Sequence, residues 1–208
     1  MKALNHMMSK HTPWNKGKLT GQKPALKLKE IWSIRTRLQI SHNIPELALF
    51  NMAIDSKLRG CDLVKLRVSD ISHGLHISKR AMIIQQKTGR SVQFELTEQT
   101  RDAAAKLIKQ ASLGGNDYLF KSQFKKSEHL STRQYARIVK KWVLDIGLDP
   151  YEYGTHSLRR TKVSLIYRQT KNIRAIQLLL GHAKIESTVR YLGFEVDDAL
   201  EMSENMDI

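Results

Sequence analysis

Cysteine is nearly absent: Cys61 stands alone among 208 residues. No intrachain disulfide can form, and no Cys/His set has zinc-ligand spacing. No apolar run is long enough to read as a membrane span. Met1 to Lys10 lacks the apolar centre of a secretion signal. The glycine loops that cradle nucleotide phosphates, G-x-x-x-x-G-K-[ST] and G-x-G-x-x-G, are missing. So is any carboxylate pair at metal-binding spacing. Acid is also scarce, with 20 Asp and Glu against 35 Lys and Arg. These absences lead us to expect a cytoplasmic protein of a reducing compartment that works without cofactor, metal or nucleotide and touches no membrane.

What is present reads as a globular chain. Apolar residues make up 41% and charged residues 26%, and the length suits one domain with extra arms. The net charge of +15 points to a polyanionic partner, double-stranded DNA first. The charge is uneven. Residues 1–40 hold nine Lys/Arg and one acid, Glu30. His156 to Arg174 holds six basic residues and no acid. Gly193 to Ile208 holds six acids and no Lys or Arg. We therefore expect a basic flexible arm at 1–25, a folded domain at 26–193 and an acidic tail at 194–208.

Periodicity predicts mostly helix with one small antiparallel sheet, an α+β fold. The first helix spans about Lys27 to Ile40, with Leu28, Ile31 and Leu38 on one face. The second spans about Pro45 to Leu58, with Leu47, Phe50, Ile54 and Leu58 inward and Gly60 as its terminating glycine. Short strands are expected at Leu75–Ile77, Ala81–Gln85 and Val92–Leu96, with Gly89 easing the last hairpin. Four more helices follow. Thr97 caps the first. Ser131 opens the second, with Tyr135, Ile138, Val139, Trp142 and Ile146 inward. Thr155 caps the third. Asn172 caps the fourth, which ends at Gly181. A last short helix holds Glu186 to Tyr191. Trp32 and Trp142 read as core, Cys61 as a small buried filler and Trp14 as a loose aromatic of the arm.

Unusual polar residues gather at element ends in four segments. They are Leu58-Arg59-Gly60-Cys61-Asp62-Leu63, Gln86-Lys87-Thr88-Gly89, Thr155-His156-Ser157-Leu158-Arg159-Arg160 and Leu179-Leu180-Gly181-His182, the last nine residues before Tyr191. His156 and Arg159 share one helix face near an N-terminus, where anions are favoured and an arginine fork can grip a phosphate. Thr188 and Tyr191 share a face of the following helix. The order Arg, Lys, His-x-x-Arg, Leu-Gly-His, Tyr resembles the catalytic domain of the tyrosine recombinase family, the lambda-integrase or phage integrase class. The resemblance runs from about Leu47 to Gly193 and is most specific between Gly154 and Leu192.

That resemblance implies a site-specific DNA recombinase or integrase of mobile elements. Such an enzyme cleaves and rejoins strands through a 3′-phosphotyrosine intermediate, as a homo-tetramer on paired sites. It implies six catalytic residues: Arg59 and Arg159 on the nonbridging oxygens, His182 as a further donor to them, His156 as general acid/base, Lys87 as proton donor to the leaving 5′ oxygen, and Tyr191 as nucleophile. Lys79, near the same sheet, is the other candidate lysine. Asp62 stands where the family has a buttressing acid. The chain looks like a short member, without the usual N-terminal core-binding domain, and its tail is expected to dock on a neighbouring protomer. Two other readings are a catalytically silent DNA-binding module of the same fold and DNA relaxation of the type IB topoisomerase kind. His6, His11, His42, His73, His76 and His129 have no partner pattern and receive no role.

Overall fold

The computed structural model describes residues 22–74, 76–122, 127–193 and 203–204. Trp14 and residues 1–21 of the arm lie outside them, as does the tail apart from 203–204. The elements run α1 (Leu28–Ile40), α2 (Ile44–Ser56), α3 (Gly60–Leu63), α4 (Val68–Ile71), β1 (Ser72–His73), β2 (His76–Ile77), β3 (Arg80–Ile84), β4 (Ser91–Glu95), α5 (Glu98–Gln110), α6 (Thr132–Asp145), α7 (Thr155–Thr170), α8 (Ile173–Leu180) and α9 (Ile185–Leu192). Helix dominates, as the periodicity predicts. The expected single sheet is two separate antiparallel pairs, β1 with β2 and β3 with β4. The β3–β4 hairpin sets Arg80 opposite Glu95 and Ile84 opposite Ser91. Gly89 takes φ +63° in its turn, a conformation that costs glycine little.

Helix α2 is the axis of the core. Asn43 caps it, accepting from the Glu46 N–H, and every residue from Ala48 to Ser56 is buried. A helix apolar on all sides must be surrounded, and α2 packs against α1, α5, α7 and β4. Phe50 meets the edge of Trp142 from α6 at 5.3 Å between ring centres. The Trp142 indole N–H donates to Glu46 at 2.6 Å. A second, smaller apolar cluster joins Val163 of α7 to Ile176 and Leu180 of α8, with Tyr191 and Leu192 of α9 against it.

Several local expectations are corrected. The buried face of α1 is Ile31, Ile34 and Leu38; Leu28 is exposed. Trp32 is 48% exposed and lies under the Arg35 guanidinium at 5.0 Å, an arrangement that stabilises an aromatic outside a core. Cys61 is half-buried. Lys57, with φ 55°, ends α2, whereas Gly60 begins α3. A β-carbon on Gly60 would meet the Tyr135 ring at 3.4 Å, an ordinary contact distance. Gly154 precedes α7, which Thr155 starts, and the Ser157 hydroxyl accepts the Gly154 N–H. Thr97 precedes α5, but its hydroxyl donates to Asp55 at 2.7 Å instead of capping the helix.

That bond belongs to a buried ionic network at the end of α2. Asp55, 4% exposed, accepts from the Thr97 N–H, the Thr97 and Thr100 hydroxyls and Lys162 Nζ. Lys57, which is fully buried, pairs with Glu95 of β4 at 2.8 Å. Lys162 of α7 reaches both Asp55 and Glu95 at 2.7 Å. Burial would raise the Asp55 pKa; the hydrogen bonds from Lys162 and Thr100 outweigh it and hold the carboxyl below its ordinary value. The charged groups are fully partnered, which is what makes their burial tolerable. Asp55→Ala would leave Lys162 short of a partner and strand two hydroxyls. It should cost roughly 3–5 kcal/mol of unfolding free energy in a urea titration. A loss below about 1 kcal/mol would reduce the network to the weight of a surface pair.

Candidate active site

The six expected residues converge on one face, at the seam between the main core and the smaller cluster. Arg59 leaves the turn between α2 and α3 and donates from Nη1 to Gln85 Oε1 at 2.6 Å. Lys87 stands exposed in the β3–β4 turn, close enough for its charge to act on His156. Lys79, by contrast, lies at the other end of β3, where its carbonyl accepts the Leu96 N–H. His156 and Arg159 come from the first turns of α7, three residues apart on one face. Arg159 is only 3% exposed and donates from Nη2 to the Leu180 carbonyl at 3.1 Å. His182 follows α8, which Gly181 ends at φ +66°. Tyr191 comes from the last turn of α9.

The Gly181 turn cannot carry a side chain, since a β-carbon there would stand 2.4 Å from Val92 Cγ2. That close approach of α8 to β4 sets where His182 emerges. Gln177 holds the turn from within, its Nε2 donating to the His182 and Ala183 carbonyls at 3.2 Å. His182 Nδ1 and the Thr188 hydroxyl are 3.1 Å apart, so Nε2 is the ring nitrogen left to face a substrate. Thr188 is itself fully buried.

Tyr191 is packed among cations. Its ring lies 5.7 Å from the Arg159 guanidinium and 5.6 Å from that of Arg160. It meets the His182 ring edge-on at 5.4 Å. The Tyr191 hydroxyl is sealed from solvent. Arg159 is its polar neighbour and lowers its pKa, yet no hydrogen bond of regular geometry joins the two. Burial dominates and pushes the phenol up to about 12. Arg159 Nε and Nη1 are buried without a well-formed bond. A buried guanidinium with unpaired donors is costly unless an anion meets it. The site is thus matched to a tetrahedral oxyanion beside a tyrosine.

The same charges act on the histidines. Partial burial, then Arg159, Arg59, Arg160 and Lys87, hold the His156 imidazole below its ordinary value of 6.5. Burial, then Arg159 and Arg59, bring His182 down to about 4. Both rings are therefore neutral at pH 7, and each can accept or donate through a free nitrogen. Asp62, buried beside the hairpin, accepts the Gln86 N–H at 2.9 Å. Its charge favours the protonated form of Arg159.

Three supporting residues were not singled out from the sequence: Gln85, Gln177 and Arg160. For Gln85 a signal existed. It continues the inward alternation of Ala81 and Ile83 on β3, where a polar residue is out of place. Arg160 links Lys23 to Leu192 by donating to both carbonyls. That contact joins positions far apart in the chain, and no local pattern marks it.

Comparison with known proteins identifies relatives of this chain and of its fold. Residues 25–195 match the phage integrase family. The chain is 30% identical over 182 residues to a protein described as probable integrase/recombinase YoeC of Bacillus subtilis, covering 84% of this chain and 91% of that one. It is 30% identical over 148 residues to the tyrosine recombinase XerD of Brucella suis. That match covers 69% of this chain but 46% of the XerD chain. The crystal structure of the XerA recombinase shares the fold with a TM-score of 0.72 at 21% identity, over 91% of this chain and 68% of that one. From the residues matched, the relatives and the shared fold, this chain belongs to the phage integrase family of tyrosine recombinases.

Proposed function

We propose that this chain cleaves and rejoins double-stranded DNA at specific sites, with Tyr191 as the nucleophile. One observation carries the reading. The buried, incompletely bonded guanidinium of Arg159 lies against the ring of Tyr191, with neutral His182 on the other side. Such a cluster provides an oxyanion site beside an oxygen nucleophile.

In this reading a scissile phosphate enters with its nonbridging oxygens on Arg59 and Arg159. His182 donates a further hydrogen bond from Nε2. The Tyr191 oxygen attacks phosphorus and its proton passes to His156, which is neutral and able to take it. The bond to the 5′ oxygen breaks, and Lys87 gives that oxygen a proton. The products are a 3′-phosphotyrosyl bond and a free 5′ hydroxyl. The phosphodiester's energy is kept in the covalent bond, so a second 5′ hydroxyl can reseal the strand without nucleotide hydrolysis. Lysine and arginine supply the positive charge, so the proposed step calls for no metal. Exchange between two duplexes takes four cleavages, hence four protomers on paired sites. The six residues named are proposals for this chain, as are the arm at 1–25 and the tail at 194–208, the tail as a contact to a neighbouring protomer. A nucleoid location follows from the same DNA chemistry.

Incubation with nicked suicide duplexes drawn from the DNA flanking the gene should trap a covalent adduct that peptide mapping places on Tyr191. Tyr191→Phe should abolish it, and Arg159→Ala should slow it by roughly 10²–10³-fold. An adduct on another tyrosine would overturn the assignment. The pH profile of single-turnover cleavage tests His156. Because burial, and then the surrounding charge, lowers its pKa, the neutral base persists into mild acid, and the rate should begin to fall only below the ordinary imidazole value of about 6.5. An acid limb centred above that value would exclude His156 as the base. Binding should weaken steeply with salt as Lys and Arg displace counterions. Each phosphate contact removed should lower the slope of log K against log salt by about one. A flat response would sever the link between the +15 charge and DNA.

A further inference from the structure

We propose that Gln85 is a positioning residue that orients Arg59 for the phosphate. The inference rests on the role assigned to Arg59 above. Gln85 follows the last residue of β3 and is 1% exposed, a rare burial for a carboxamide. Its side chain touches three separate pieces of the site. Oε1 accepts from Arg59 Nη1 at 2.6 Å and from the Thr88 hydroxyl, next to Lys87, at 2.9 Å. Nε2 donates to the Leu180 carbonyl at 3.3 Å, the same carbonyl that accepts Arg159. The backbone is pinned as well: the Gln85 N–H donates to Arg90, and its carbonyl accepts from Gly89, both at 2.8 Å.

The residue type fits the task. Arg59 must be aimed, yet its charge must remain available to the phosphate. A carboxylate at 2.6 Å would aim it and neutralise it together. A neutral amide oxygen fixes the direction of one N–H and leaves the full positive charge and the remaining donors free. The opposite end of the same rigid amide ties the hairpin to the end of α8. One side chain thereby sets the distance between the segments that carry Arg59, Lys87, Arg159 and His182.

The test compares a normal scissile phosphodiester with a methylphosphonate at the same bond, whose missing negative charge lessens the need for Arg59. Arg59→Ala serves as the reference and should lose far more rate on the phosphodiester than on the methylphosphonate. Gln85→Met should show the same selective loss, about 10- to 100-fold on the phosphodiester, with DNA affinity unchanged. Adding it to Arg59→Ala should cost little more. Gln85→Glu keeps the shape and both acceptor contacts, though it gives up the donor to the Leu180 carbonyl, and it stands in if the methionine variant does not fold. It should also lower phosphodiester cleavage selectively, by neutralising Arg59. Equal losses on both substrates, or full additivity with Arg59→Ala, would make Gln85 a packing residue and overturn the inference. If Arg59→Ala itself shows no selectivity, the role of Arg59 falls, and that of Gln85 with it. An adduct on Tyr191 in the wild type would still stand in that case.

Discussion

The end of α2 is where the fold and the site are joined. Asp55 gathers the start of α5 and Lys162 of α7; Lys57, two residues on, gathers Glu95 of β4. Four charges lie close together, Asp55 and Lys57 buried and Lys162 and Glu95 partly exposed, and the buried pair is tolerable because the others partner it. The consequence reaches further than stability. Lys162 is three residues beyond Arg159, on the same face of α7, and lies less than two turns beyond His156 on the same helix. The network therefore sets the axial position of the helix that presents both. Arg59 stands two residues beyond Lys57, with buried Leu58 between them, so the same anchor fixes where it leaves the core.

The second half of the site sits on a smaller apolar cluster, built from α7, α8 and α9. Polar bonds span the seam. Arg159 and Gln85 both donate to the Leu180 carbonyl, and Arg160 grips the carbonyl of Leu192 just past Tyr191. Burial, and then the crowding of cations, disfavours further positive charge here, and both lower the histidine pKa values. That effect serves the proposed chemistry. Neutral imidazoles can move protons at ordinary pH, and the concentrated positive charge is aimed where a phosphorane would develop its negative charge.

Much of this was legible along the chain. The stripe at Tyr135, Val139 and Trp142 announces a helix and its buried face. Ser131 and Asn172 cap as their side chains suggest. Gly89 and Gly181 stand where φ must be positive. Other local signals misled. Trp32 looked like core because size usually decides burial, but a neighbouring arginine offers an aromatic another stable place. Thr97 has the chemistry of a helix cap, and Asp55, 42 residues away in the chain, takes its hydroxyl instead.

The types and order of the six polar residues, the mainly helical α+β class and the basic charge were determined by the sequence alone. Each depends on composition or on neighbours within a few turns, which local periodicity reports. Only the tertiary structure decided that Gln85 bonds to Arg59, Thr88 and Leu180 at once, that Tyr191 is buried against two guanidinium groups, and that the charge of Lys87 reaches His156. Those facts are distances between segments far apart in the chain. They are set by how the hairpin and α8 close around Gly181, through packing and charge that no local stretch contains.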